Sequence, residues 1–175
     1  RVLPDAATTL AEHLQAAGYD TVGVTANPNL VEAYGMAQGF SAYAGTGDRA
    51  FAKGSRVVGA EVVDAALKLL DDRSGSGPFF LQVVLIDAHL PRSVSVEERA
   101  PFAGAGLALA EYRATLRRMD DAVARLDEGL RARGHDPDDT WFVFVSDHGE
   151  GLRTPRHHGG AHGTRMYRST LAVPW

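Results

Sequence analysis

Residues 79–92 read FFLQVVLIDAHLPR: an almost unbroken apolar run that ends in an acid, a histidine and an arginine. An apolar run over 79–86 suits a strand buried on both faces, as in a parallel sheet covered by helices. A second run of the same kind, TWFVFVS at 140–146, leads into DHGE and is expected to be another fully buried strand. A shorter β-rich segment, DTVGVTA at 20–26, ends in NPN.

Helical patterns separate these strands. TTLAEHLQAA (8–17) places Leu10, Leu14 and Ala17 on one face, with Thr8 or Thr9 as cap and Gly18 as stop. VVGAEVVDAALKLLDDR (57–73) repeats Val58, Val62, Ala65, Ala66 and Leu69 at helical spacing, and SGSGP breaks it. Residues 108–133 give the longest helix, with Leu109, Tyr112, Leu116, Met119, Val123, Leu126 and Leu130 along one stripe and Gly134 at its end. Residues 27–55 and 87–106 read as mostly loop. The order α-β-α-β-α-β predicts one α/β sandwich with a mostly parallel central sheet flanked by helices. In such sheets ligands bind beyond the carboxyl ends of the strands. Here those ends are TANPN, IDAHLPR and SDHGE, each carrying polar groups.

Composition sets outer limits. A chain of 175 residues suits one domain, and 45% hydrophobic with 23% charged residues is ordinary for a folded globular protein. The net charge of −4, with basic residues spread along the chain, gives no electrostatic footprint for nucleic acid. No apolar run approaches the roughly 20 residues that span a bilayer. The opening RVLPDAATTL does not read as a signal peptide. Cysteine is absent, which excludes disulfides, thiolate ligands and a cysteine nucleophile within these residues.

Four of the seven histidines, His148, His157, His158 and His162, fall within fifteen residues. Asp147 and His148 offer a carboxylate oxygen and an imidazole nitrogen, a pair suited to zinc or manganese; calcium would prefer oxygen to the histidine. Gly149 would allow a sharp turn that brings both groups toward one point. The competing reading is a capped turn, with Asp147 on backbone amides and His148 solvated. HHGGAHG (157–163) can complete a metal site or supply a general acid, or it can be a surface loop. His89 can hydrogen-bond an anionic substrate or protonate a leaving group, or be structural. Asn27 and Asn29 shape a turn, and Asp120–Asp121 sits on a solvated helix face or caps a neighbouring loop. No G-x-S-x-G elbow and no phosphate-cradling P-loop is present.

Taken together the motifs resemble the sulfatase family of the alkaline phosphatase superfamily. YRATLRRMDDAVARLDEGLRARGHDPDDTWFVFVSDHGE (112–150) is similar to its helix–turn–strand segment ending in a metal motif. HHGGAHGTRMYRSTLAVP (157–174) is similar to the segment that follows. TTLAEHLQAAGYDTVGVTANPNL (8–30), GMAQGF (35–40) and PFFLQVVLIDAHLPR (78–92) match further stretches in the same order, the last with DAHLPR where the family has DPHxPY.

The resemblance implies an alkaline phosphatase-like fold and metal-dependent hydrolysis of sulfate esters through a covalent intermediate. It implies Asp147 and His148 as metal ligands and His89 as a contact to the sulfate or phosphate. It implies His162, or else His158, near the leaving group or a second metal position. Arg165 stands in for a lysine as the anion-binding cation. The implied cofactor is a divalent ion, calcium for a sulfatase and zinc or manganese for phosphoryl chemistry; the implied partner is a small anionic ester. The family's nucleophile and a further acidic metal pair lie upstream of the stretch matching Arg1. The expectation is therefore an incomplete domain over 1–175, a central fragment that is inert alone, from a larger enzyme of periplasmic, secreted or membrane-anchored type. Two other readings stand beside it: a phosphoryl transferase or phosphonate/phosphodiester hydrolase of the same superfamily, and a non-catalytic α/β domain whose histidine-rich loop binds metal.

Overall fold

A computed structural model describes residues 2–45, 58–136, 138–152, 162 and 166–173. Among the described residues the sheet has three parallel strands, β1 (Asp20–Thr25), β2 (Ala42–Gly45) and β3 (Phe79–Val84), in the order β2-β1-β3. β1 is central, with Val22 opposite Ala42 on one side and Leu81 on the other. Every residue from Thr21 to Ala26 is buried, as a strand flanked on both edges and both faces must be.

α1 (Leu10–Ala16) begins at Thr9 through a reciprocal cap. The Glu12 N–H donates to Thr9 Oγ1 at 3.1 Å, and the Thr9 N–H donates to the Glu12 carboxylate at 2.7 Å. Gln38 Nε2 also donates to that carboxylate, tying the helix to the loop ahead of β2. The predicted face was one position out: Ala11 is buried and Leu10 exposed. Over seven residues a helical stripe is defined by barely two turns, so neighbouring faces compete closely.

α2 (Gly59–Asp71) packs between the sheet and α4 (Leu107–Ala132). Val62, Val63, Ala66, Leu67 and Leu70 of α2 meet Val22, Val24 and Leu81 of the sheet and Ala122, Leu126 and Leu130 of α4. Only Val62 and Ala66 of these lie on the predicted stripe. A helix covered on two sides is buried over a wider arc than one stripe describes. The helices approach closely at glycines: a Cβ on Gly59 would lie 2.9 Å from the Ala122 Cβ, and one on Gly129 would overlap the Leu67 side chain. α4 likewise buries small residues, Ala110, Ala114, Thr115 and Ala122 with Leu130, while Leu116 of the predicted stripe is exposed. Gly134, at φ 82°, ends it as expected.

The predicted loops conceal short elements: a 3₁₀ turn at Glu32–Tyr34 and β2 in the first, then α3 (Val96–Arg99) and a 3₁₀ turn at Ala100–Ala105 in the second. A last short helix, α5, spans Arg168–Leu171.

Two strand expectations are corrected. β3 is half-buried and Gln82 exposed, because β3 closes one edge of the described sheet. Residues 140–146 form no strand, and among the described residues no backbone hydrogen bond joins them to the sheet. Trp141 is 94% and Val143 81% exposed. Apolarity selects residues fit for a buried strand, but a strand also needs a neighbouring edge to pair with. The turn that follows them nevertheless meets the segment after β3, through an ion pair between Glu150 and Arg92.

Candidate functional site

Beyond β3 the chain reaches Asp87, whose carboxylate is buried. Its Oδ1 accepts the Gly59 N–H at 3.2 Å, so it caps α2 from a distance, and Arg118 Nη1 of α4 lies 3.6 Å away. Burial pushes the Asp87 carboxyl above the ordinary range, against the pull of the Gly59 N–H and the Arg118 charge. Asp87 thus binds sheet, α2 and α4 together and sets the origin of the next turn. His89 lies two residues on, exposed, with Nδ1 against the Leu90 carbonyl at 2.5 Å. A carbonyl only accepts, so Nδ1 carries the proton and a neutral ring keeps its lone pair on Nε2.

The segment 146–150 turns on local hydrogen bonds. The Ser146 hydroxyl donates to the His148 carbonyl at 2.7 Å, and the His148 N–H donates to Asp147 Oδ1 at 2.9 Å. His148 Nδ1 donates to the Gly149 carbonyl at 2.8 Å, which leaves Nε2 as the basic nitrogen of the neutral ring. That Nε2 lies 3.5 Å from Asp147 Oδ2. One Asp147 oxygen thus accepts a backbone N–H of the turn and the other faces the imidazole. Gly149 also sets how close the turn lies to its neighbour. Its φ is not among the positive ones; what it provides is closeness, since a Cβ there would overlap the Ser169 carbonyl oxygen. Its N–H donates to the Thr170 carbonyl at 2.9 Å, docking the turn onto α5.

His162 completes the cluster. Its ring stacks on His148 with centroids 3.8 Å apart and meets His89 edge-on at 5.5 Å. Three of the histidines singled out in the sequence thus come together from three separate segments. His157, His158 and Arg165 lie outside the described residues.

Chemically, Asp147 Oδ2 and His148 Nε2 are one oxygen and one nitrogen donor, close together, with the imidazole tautomer already fixed for ligation. Such a pair fits a divalent ion of intermediate character. Among the described residues no group of three or more His, Asp or Glu side chains is gathered to hold a metal, so this pair could form only part of a coordination shell.

A profile of the family described as Sulfatase matches residues 2–175. The chain belongs to the sulfatase family. No curated protein sequence matches it. Solved structures share the fold of this sulfatase-family chain at low identity. One is Ps i-CgsB in complex with k-i-k-neocarrahexaose, with TM-score 0.71 and 18% identity over 99% of this chain and 48% of the other. Another is the C-terminal periplasmic domain of EcEptC from Escherichia coli in complex with Zn, with TM-score 0.67 and 17% identity over 95% of this chain and 50% of that one. A third is the phosphonate monoester hydrolase of Agrobacterium radiobacter, with TM-score 0.60 and 17% identity over 99% of this chain and 53% of that one. The chain thus spans about half the length of these structures. They share its fold, in keeping with the parallel sheet flanked by helices. Among the described residues no helix is long and apolar enough to cross a membrane.

Sequence reading missed two residues of the site. Arg92 and Glu150 form a buried ion pair at 3.2 Å, and His162 Nδ1 lies 3.5 Å from the other Glu150 oxygen. The available signal was the arginine in DAHLPR, an added charge matched by the glutamate of SDHGE.

Proposed function

We propose that these residues are part of a larger catalytic domain that hydrolyses sulfate esters with the help of a divalent metal ion. The observation that carries this reading is the Asp147–His148 donor pair set against the His89–His162 cluster at the end of the sheet. Family membership supports a hydrolase or group-transfer enzyme. The apolar segment 140–146, unpaired among the described residues, and the span of about half of each similar structure support the reading of a larger catalytic domain.

In this reading Asp147 and His148 hold the ion, which supplies charge neutralisation at the ester. His89, exposed at the mouth of the site, holds an ester oxygen through a hydrogen bond. His162 gives a proton to the leaving alcohol as the S–O bond to it breaks, and a nucleophile from outside these residues forms the new bond to sulfur. Water then attacks that covalent intermediate, releasing sulfate and restoring the nucleophile. His158 and Arg165 belong to the proposal as substrate-binding groups. Calcium is the ion expected for sulfate esters, whereas the nitrogen of His148 suits zinc or manganese.

A second reading, phosphoryl transfer or phosphonate hydrolysis, is favoured by the likeness to EcEptC and to the phosphonate monoester hydrolase. Steady-state rates of the complete protein on an aryl sulfate, an aryl phosphate diester and an aryl phosphonate monoester separate the two. The sulfate is expected to turn over fastest. A faster phosphodiester or phosphonate selects the second reading, and no turnover of any of the three removes both. The 175 residues alone are expected to be inert.

A further inference from the structure

The Arg92–Glu150 pair is unusual for its burial: the side chains are 4% and 6% exposed. It links segments 58 positions apart, the turn after β3 and the turn before residue 151. Arg92 is gripped on three sides. Its Nε donates to the Ala88 carbonyl at 2.9 Å, its Nη2 donates to Glu150 Oε2 at 3.2 Å, and its Cζ sits 5.0 Å from the centre of the Tyr112 ring on α4. Glu150 is held from both ends in turn, since Oε1 accepts the Gly151 N–H at 3.1 Å. That same Oε1 faces His162 Nδ1 at 3.5 Å, a buried nitrogen with no hydrogen bond in the present geometry. His162 then leans on His148 and His89.

A desolvated ion pair gives little net stability, but its removal by halves is severe, and its geometry is specific. An exposed loop arginine that bound substrate would not be shielded by a tyrosine ring and used up on a carboxylate. We infer that Arg92 is a positioning residue: clamped between Tyr112 and Glu150, it fixes the Glu150 carboxylate and thereby the place of the His162 ring against His148. This deepens the proposed function and rests on it for the role of His162. Without Arg92, Glu150 is a buried charge without compensation and swings toward water, and the oxygen facing His162 goes with it.

The test uses the complete protein with Arg92→Met, which keeps the length and removes the charge. The first readout is the His162 ring resonance in NMR spectra, assigned by its loss in His162→Ala. Stacking on His148 displaces it by ring current in the wild type. Arg92→Met is expected to collapse that displacement while His13 on α1 stays in place, and Arg92→Lys to restore part of it. The second readout is turnover: kcat is expected to fall about 10–100-fold with KM moving less. In a His162→Ala background the same substitution is expected to cost nothing further. Should Arg92→Met fail to fold, Tyr112→Leu loosens the same clamp and is read in the same way. An unchanged His162 resonance, or losses from Arg92→Met and His162→Ala that simply multiply, would overturn the inference. Should the wild type turn over neither sulfate nor phosphoryl esters, the functional reading fails, and the resonance still decides whether Arg92 places His162.

Discussion

Replacing Gly149 by alanine tests how the candidate metal turn is held. The nearest obstacle to a Cβ is the Ser169 carbonyl oxygen, a backbone atom that cannot rotate aside. Either α5 moves away or the turn does, and the Gly149 N–H to Thr170 carbonyl bond at 2.9 Å is strained in both cases. Overpacking of this kind costs about 1–3 kcal/mol. Loss of the hydrogen bond adds about 1 kcal/mol, for a total of about 2–4 kcal/mol. With a urea slope of about 2 kcal/mol/M, the unfolding midpoint should fall by about 1–2 M. Gly129→Ala is the matched control, because the atoms a Cβ meets there belong to the flexible Leu67 side chain. Alanine also improves helix propensity over glycine by about 1 kcal/mol, so its net loss should stay below about 1.5 kcal/mol. Urea unfolding followed by circular dichroism measures both. A Gly149→Ala midpoint equal to that of the wild type would refute the docking argument, as would a larger loss in Gly129→Ala.

Two further outcomes follow from the scaffold. Thr9→Ala removes one half of the α1 capping box and should cost about 1 kcal/mol in the same unfolding experiment, while Thr8→Ala should cost almost nothing. Asp87 predicts a pH signature: its native carboxyl is held above the ordinary value by burial, so the native state keeps that proton more tightly than the unfolded chain. The Asp87 contribution is therefore fully present below the unfolded value of about 3.9 and is lost as pH rises through the raised native value. The stability of Asp87→Asn relative to wild type should climb across that window; a difference that is flat or falls with pH contradicts the assignment.

Local signals carried most of the framework. β1, the start of β3, the ends of α1 and α4, and the polar groups at the strand ends follow from apolar runs, a Thr–Glu cap and glycine stops. What escaped depends on partners distant in sequence. AYAG at 42–45 is too short and too poor in β-formers to stand out, yet β1 templates it. Residues 140–146 have a strand's composition but, among the described residues, pair with no strand. The helix faces shifted because α2 is covered from two sides. At the site, Asp147, His148, His89 and His162 were visible as chemistry-bearing residue types, His89 soon after β3 and the other three after the apolar run at 140–146. The Asp87 cap on Gly59 and the Arg92–Glu150 pair are contacts across 28 and 58 positions, which only the folded topology creates.

The proposed chemistry requires Asp147 and His148 to hold a metal ion. Metal content per chain after dialysis, measured by mass spectrometry on the complete protein and on Asp147→Ala, is the direct test. The prediction is that the wild type retains a divalent ion and that Asp147→Ala loses both the ion and ester turnover while still unfolding in one cooperative transition, at a midpoint lowered by the loss of the bound ion. Retention of metal and full activity by Asp147→Ala would contradict it and leave Asp147 as the cap of a turn.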